Sequence, residues 1–309
     1  MHDSGPVSIK FAPSGSAPPS SKIFLLGVGC QKGGTTWLHD YLSHHPNADM
    51  GFRKEYHVFD ARHLPSCRNF IEAETACGHR MLEWFSKTRT NPGDSTVLDF
   101  YADIEAYYEY FAHLAHRRAD VRVVGDMTPS YAGLPASVLA SVRESLGQHG
   151  LTVRVIFLMR DPVDRIWSAA RMIRRNRRLT SLRDADVIRS LYRTASCELR
   201  TRYDETIRNL EAAFPAEAVL YQFYESLFSA DQVREITDFL ELPFVEPDTA
   251  VRFNASPKTQ EVSENLQREI VSFYRPVYEF CSDRFGADVI HRLWPSARFL
   301  PRLKIARAA

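Results

Sequence analysis

The chain has 309 residues, of which 44% are apolar and 25% charged, with 39 Lys and Arg against 38 Asp and Glu. That length allows one large α/β domain or two ordinary ones, and the balanced charge excludes a global attraction to polyanions such as nucleic acid. Cys30, Cys67, Cys77, Cys197 and Cys281 form no CxxC pair and so give no zinc-site spacing; the scattered set suits a reducing, cytoplasmic compartment and leaves a Cys67–Cys77 pairing open.

Residues 1 to about 20 read as a disordered leader, because eleven of the twenty are Ser, Pro or Gly and no apolar h-region follows a basic one. No run approaches the roughly 18 apolar residues of a membrane span, so no membrane anchor is expected. The first ordered element is the continuous apolar run Lys22–Val28, which predicts a strand buried on both faces. Two glycines break it, and Thr35 to His45 then reads as a helix with Trp37, Leu38, Tyr41 and Leu42 at helical spacing. Further buried-strand signals stand at Val121–Val124, Val153–Leu158 and Val219–Phe223, with helices expected at about 102–117, 135–148, 162–176 and 185–213. This alternation predicts an α/β fold of the P-loop type, a mostly parallel sheet flanked by helices on both faces. No Pro/Gly/Ser linker divides the chain after residue 21, so residues 21–309 read as a single domain.

The loop Gly29-Cys30-Gln31-Lys32-Gly33-Gly34-Thr35-Thr36 leaves a buried strand and enters a helix, so its backbone N–H groups and the helix N-terminus favour an anion. Gly33 and Gly34 allow close approach, Thr35 and Thr36 offer hydroxyls, and Lys32 adds a full charge; for glycines alone, a plain turn would explain as much. A nucleotide-triphosphate loop places its lysine directly before the hydroxyl residue. Here Thr35 stands in that place and Lys32 sits inside the loop, which argues against an ordinary kinase. The segment Gln31–Leu38 resembles the 5′-phosphosulfate loop of sulfotransferases, most closely the carbohydrate branch that includes the heparan sulfate enzymes.

Lys54-Glu55-Tyr56-His57-Val58-Phe59-Asp60 follows the first helix and sets two carboxylates and an imidazole within seven residues, a grouping able to do acid–base work or simply to line a polar loop. It resembles the Lys-Glu-Pro-His-Phe-Phe-Asp stretch of heparan sulfate 3-O-sulfotransferases, where the glutamate is regarded as the base. Arg160-Asp161-Pro162 ends a strand and starts a helix carrying Ser168. Arg160 and Ser168, eight apart across the turn, can converge on a second anion, and the pair resembles the family's 3′-phosphate motif. Thr128-Pro129-Ser130-Tyr131 is similar to the family's acceptor-side segment, Phe273-Tyr274-Arg275-Pro276 to its last helix, and Ser256-Pro257-Lys258-Thr259 to a basic loop closing over the sulfuryl donor.

The resemblance therefore implies a sulfotransferase that moves a sulfuryl group from 3′-phosphoadenosine 5′-phosphosulfate (PAPS) to an acceptor hydroxyl, or in second place an amine, without a metal. It implies Glu55 as base, Lys32 on the departing bridging oxygen, and His57 orienting Glu55 or acting as base itself. Lys32, Gly33, Gly34, Thr35, Thr36, Arg160, Ser168 and Lys258 would hold the sulfuryl donor; Lys54, Asp60 and Ser130 would face a carbohydrate or small-metabolite acceptor. Met127 and Tyr56 replace a Lys and a Pro of the heparan sulfate pattern near the acceptor, which speaks against a heparan-like substrate. Arg171, Arg174, Arg175, Arg177 and Arg178 form a basic run that steers an acidic acceptor or is a solvated helix end. The acceptor-specific loops are expected at 60–95 and 176–200. Two readings compete: a P-loop nucleotide or small-molecule kinase, and a nucleotide- or polyanion-binding module without catalysis.

Overall fold

A computed structural model describes residues 22–72, 97–179, 181–248 and 261–300. Its centre is a sheet of β1 (Lys22–Gly29), β2 (Ala48–Asp49), β3 (Val123–Met127), β4 (Leu151–Met159) and β5 (Val219–Phe223). All pairs are parallel, in the order β2-β3-β1-β4-β5.

β1 is apolar from Ile23 onward because it is central and covered on both sides. Phe24, Leu26 and Val28 enter one core, while Ile23 and Leu25 enter the other, the alternation expected of a strand. The first core is the larger and takes Tyr107 and Phe111 from the helix Ile104–Arg117, Leu139 and Val142 from Ala136–Gln148, Ile166 from Pro162–Asn176, and Ile207 and Leu210 from Tyr203–Ala213. The second takes Trp37, Leu38 and Leu42 from Thr35–Ser43 and Val233 and Ile236 from Ala230–Phe239. Each fully buried large side chain in these layers contributes roughly 1.5–3 kcal/mol by leaving water.

The order of connection positions the site. From β1 the chain runs outward to β2, returns to β3, then passes β1 to reach β4 and β5. The loop after β1 thus lies at the switch point of a parallel sheet, where the crevice outside the carboxyl ends of the strands opens. Because all strands are parallel, the segments after β1, β3, β4 and β5 emerge at one edge: Cys30–Thr36, Thr128–Tyr131, Arg160–Ser168 and Tyr224–Glu225.

Several expected boundaries shift. The stretch 185–213 is three helices, Asp184–Leu191, Ala195–Glu198 and Tyr203–Ala213, not one. Thr194 caps the short middle helix by accepting from Cys197 N, and the Thr201 hydroxyl donates to Cys197 O at 2.6 Å, so side-chain oxygens compete with the helix ladder. The strand expected at Val121–Val124 begins at Val123 and runs on through Gly125-Asp126-Met127. The first helix ends at Ser43, and Phe273-Tyr274-Arg275-Pro276 is the junction of the helices Glu264–Phe273 and Arg275–Phe285 with a further helix, Ala287–Leu293, beyond it. The leader, Lys258 with its loop, and Cys77 lie outside the described residues; Cys67 is a buried free thiol. Among the described residues no helix is long and apolar enough to cross a membrane.

Candidate active site

The glycine loop is pinned to the neighbouring strand. Cys30 N donates to Leu158 O at 2.5 Å and Gly33 N to Cys30 O at 2.9 Å. Gly33 has no room for a side chain, since a Cβ there would lie 2.6 Å from Cys30 Sγ and 3.0 Å from the Cys30 carbonyl. Gly34 has φ +98° and begins the Thr35–Ser43 helix, where no side chain caps the first turn and no acidic residue stands in it. The Pro162–Asn176 helix differs, because Asp161 caps it by accepting from Val163 N at 3.0 Å. The uncapped N–H groups and the helix dipole make the loop an anion cradle.

Lys32, half-buried and itself left-handed at φ +69°, stands inside this loop. Its ammonium is pushed down to about 8, first by burial and then by the charges of Arg175, Arg160, Arg171 and Lys54. Crowded cations of this kind favour an anion among them. Arg160, buried at the end of β4, donates from Nη1 to Lys32 O at 2.9 Å, and its guanidinium lies 4.0 Å over the Tyr224 ring. Its Nε is buried without a partner. The backbone of Arg160 is held too, because the Tyr203 hydroxyl donates to its carbonyl at 2.9 Å and sits 3.4 Å from Cys30 Sγ. Tyr203 therefore ties the glycine loop to the end of β4. Asp161 accepts from Ser296 N at 2.8 Å and Tyr278 OH at 3.0 Å, which fixes the turn that launches the helix. On that helix Ser168, Arg171 and Arg175 follow at i, i+3 and i+7, one face in common.

The second half of the site is the Lys54–Asp60 segment, downstream of β2. Glu55 (φ +64°) and His57 (φ +58°) both adopt the left-handed region, which costs a non-glycine residue about 1 kcal/mol or more and persists where neighbours over-determine it. Here the neighbours come from the end of β3. Buried Asp126 accepts from Tyr131 OH at 2.7 Å, Thr128 Oγ1 at 2.7 Å and Tyr107 OH at 3.0 Å; the Tyr131 oxygen in turn accepts from Val58 N at 3.2 Å. Burial raises the Asp126 pKa, and the three hydroxyl donors oppose that shift.

Those contacts leave His57 between two carboxylates. Nδ1 lies 2.7 Å from Asp60 Oδ2 and Nε2 3.5 Å from Glu55 Oε2, while the ring stacks on Phe70 at 3.6 Å. Burial works against the imidazolium, but the hydrogen bonds to Asp60 and Glu55 outweigh it and lift His57 to about 9. For Glu55, burial opposes ionisation and is outweighed by His57 and Lys54, which hold the carboxyl down at about 2. Lys54 Nζ donates to Glu55 Oε1. The Glu55 side chain is 36% exposed and that of His57 only 9%, so an incoming molecule reaches the carboxylate first.

Of the residues singled out in the sequence, the structure brings together Lys32 with Arg160, and Lys54 and Glu55 with His57 and Asp60. Ser130 and Asp60 are fully buried behind His57, where Ser130 Oγ donates to Asp60 Oδ2, so neither lines an open surface. Tyr56 and Met127 both face the interior: Tyr56 packs against Phe52, Phe100 and Phe111, and Met127 joins the second core. Tyr203, Tyr224, Asp126 and Phe70 carry contacts that sequence reading did not find. No local signal marks them, since each acts on a residue distant in the chain or through an ordinary aromatic position.

A parallel sheet with an uncapped glycine loop after its central strand, and a basic side chain at the next strand end, defines an α/β protein of the phosphate-loop type. The sequence matches the sulfotransferase family over residues 24–246, and the chain belongs to that family; its chemistry is sulfuryl transfer. A solved structure, the sulfotransferase from Alicyclobacillus acidocaldarius, is similar with a TM-score of 0.57 and 21% identity over 90% of this chain and 99% of that one, a likeness of fold. The sulfotransferase domain from the curacin biosynthetic pathway aligns at 19% identity and TM-score 0.42, over 76% of this chain and 79% of that one. The sulfotransferase domain from the Synechococcus PCC 7002 olefin synthase aligns at 16% and 0.42, over 86% and 91%. No curated protein matches the sequence.

Proposed function

We propose that the enzyme takes its sulfuryl group from PAPS and passes it to a hydroxyl of a carbohydrate or small metabolite. What supports this reading above all is Lys32 standing inside an uncapped glycine loop with Arg160 hydrogen-bonded to its carbonyl, together with a carboxylate paired to His57 in the Lys54–Asp60 segment. PAPS carries anions at both its 5′ and 3′ ends. The loop N–H groups of Gly33 to Thr36, with Lys32, would hold the 5′-phosphosulfate; Arg160 and Ser168 would hold the 3′-phosphate, and Lys258 would close over the bound nucleotide. The unpartnered Arg160 Nε accords with an anion seated at that strand end.

In the step itself the acceptor oxygen forms a bond to sulfur as the bond from sulfur to the 5′-phosphate oxygen breaks. The hydroxyl proton passes to Glu55, and Lys32 balances the charge that gathers on the departing phosphate. Glu55 is the more exposed of the pair and is ionised throughout the working range, so it meets the acceptor; His57 holds it in place as an imidazolium. Asp60 and Ser130 act one layer back, by orienting His57, and Lys54 orients Glu55 from the other side. Tyr56 and Met127 point inward, which leaves the acceptor side without the lysine of the heparan sulfate pattern. Calorimetric titration with 3′-phosphoadenosine 5′-phosphate (PAP) tests the nucleotide assignment: PAP should bind more tightly than ADP, and a preference for ADP or ATP would return the kinase reading.

A further inference from the structure

The five-arginine run on the Pro162–Asn176 helix and the residues just after it does not act as one patch. Arg174 turns away from the loop: its Nη1 donates to Asp184 Oδ1 at 2.5 Å, and Trp167 Nε1 holds Asp184 Oδ2 at 2.9 Å. Arg171 lies with its guanidinium 5.1 Å over the Trp167 ring, and its Nε and Nη1 are buried without a hydrogen-bond partner. Leaving buried guanidinium N–H groups unanswered costs about 1–3 kcal/mol, a cost that a bound oxyanion removes. Arg175 stands one turn further along the same face, exposed and in no ion pair among the described residues. Its charge acts on Lys32.

Two anion positions are already assigned, one to the glycine loop with Lys32 and one to Arg160 with Ser168. Arg171 and Arg175 exceed that need. Lys54 is not available for a further anion because it is paired with Glu55. We propose that Arg171 and Arg175 form an anion subsite for the acceptor, so that the hydroxyl compound carries a carboxylate, sulfate or phosphate near the hydroxyl to be sulfated. This rests on the sulfuryl-transfer reading above. Arg171, backed by Trp167, supplies a fixed fork of N–H groups; Arg175, exposed one turn beyond it on the same face, would draw the anion in.

The test is a calorimetric titration of inorganic sulfate into the PAP-saturated protein, using wild type, Arg175→Gln and the Arg171→Gln/Arg175→Gln pair. The expected result is one sulfate bound by the wild type, an affinity at least about tenfold weaker in both variants, and PAP affinity within about twofold in all three. Arg175→Gln alters only an exposed side chain and guards against a folding defect in the double variant. Sulfate binding retained in the variants, no sulfate taken up by the PAP-saturated wild type, or PAP affinity lost in the variants would each overturn the subsite. A wild-type protein that binds no PAP at all would instead overturn the nucleotide assignment.

Discussion

His57 Nδ1 lies 2.7 Å from Asp60 Oδ2, with Asp60 fully buried and Ser130 donating to the same oxygen. This pairing keeps His57 charged up to about 9, and Asp60→Asn should therefore lower the His57 pKa by a unit or more. A proton-resolved titration of the imidazole by NMR reads it directly. Native His57 titrates near 9 against 6.5 for a free imidazole, so its contribution is full below about 6.5 and is lost as pH rises through 9. Wild type should lose stability across that window, and Asp60→Asn should show a flatter profile there.

Glu55→Gln keeps the size and one hydrogen-bonding oxygen but removes the proton acceptor. Turnover should fall by about 10²- to 10⁴-fold while PAP affinity stays within about twofold. Turnover close to wild type would remove Glu55 from the base role. The Glu55 carboxyl, held at about 2 against 4.5, contributes stability above 4.5 that disappears as pH falls toward 2. Glu55→Gln should accordingly flatten the acid side of the stability curve.

Burial and the neighbouring cations hold Lys32 down at about 8. Binding of a polyanion should raise that value, so kcat/KM for PAPS should decline with an apparent pKa near 8 while kcat holds to higher pH. A kcat limb at the same position as the kcat/KM limb would show that bound PAPS does not touch Lys32.

Arg160 and Tyr203 should separate binding from architecture. Arg160→Ala removes a guanidinium that stacks on Tyr224 and reaches the loop, and should weaken PAP by about 1.5–3 kcal/mol. Tyr203→Phe removes a hydrogen bond to the Arg160 carbonyl and should destabilise the fold by about 1 kcal/mol, with a smaller loss of PAP affinity. Equal effects of the two variants on PAP would contradict the division.

Much of the frame was legible because its determinants are local. β1, β4 and β5 are runs of apolar residues, and the helix at Pro162–Asn176 announces itself by Asp-Pro at its start. β2 is only two residues, Ala48 and Asp49, and has no pattern to read. The apolar signal of β3 stops at Val124, because Gly125 and Asp126 carry none; Asp126 is tolerated inside only because Tyr107, Thr128 and Tyr131 satisfy its carboxylate. The grouping of Glu55 with His57 was legible in the sequence, but not the burial of Ser130 and Asp60, which depends on how the segment after β3 packs behind His57. Tyr203 could not be found at all from sequence, since its effect is a bond to a carbonyl 43 residues away.

In the proposed reaction Lys32 meets the departing phosphate and Glu55 the acceptor hydroxyl. The most direct measurement follows radiolabelled sulfate from PAPS to a panel of carbohydrate and small-molecule hydroxyl acceptors, in EDTA, for wild type, Lys32→Ala and Glu55→Gln. The prediction is label on an acceptor with wild type, undiminished by the chelator, and its loss by about 10²-fold or more in both variants. Label that stays on PAPS across the panel, or transfer that survives both substitutions, would contradict it.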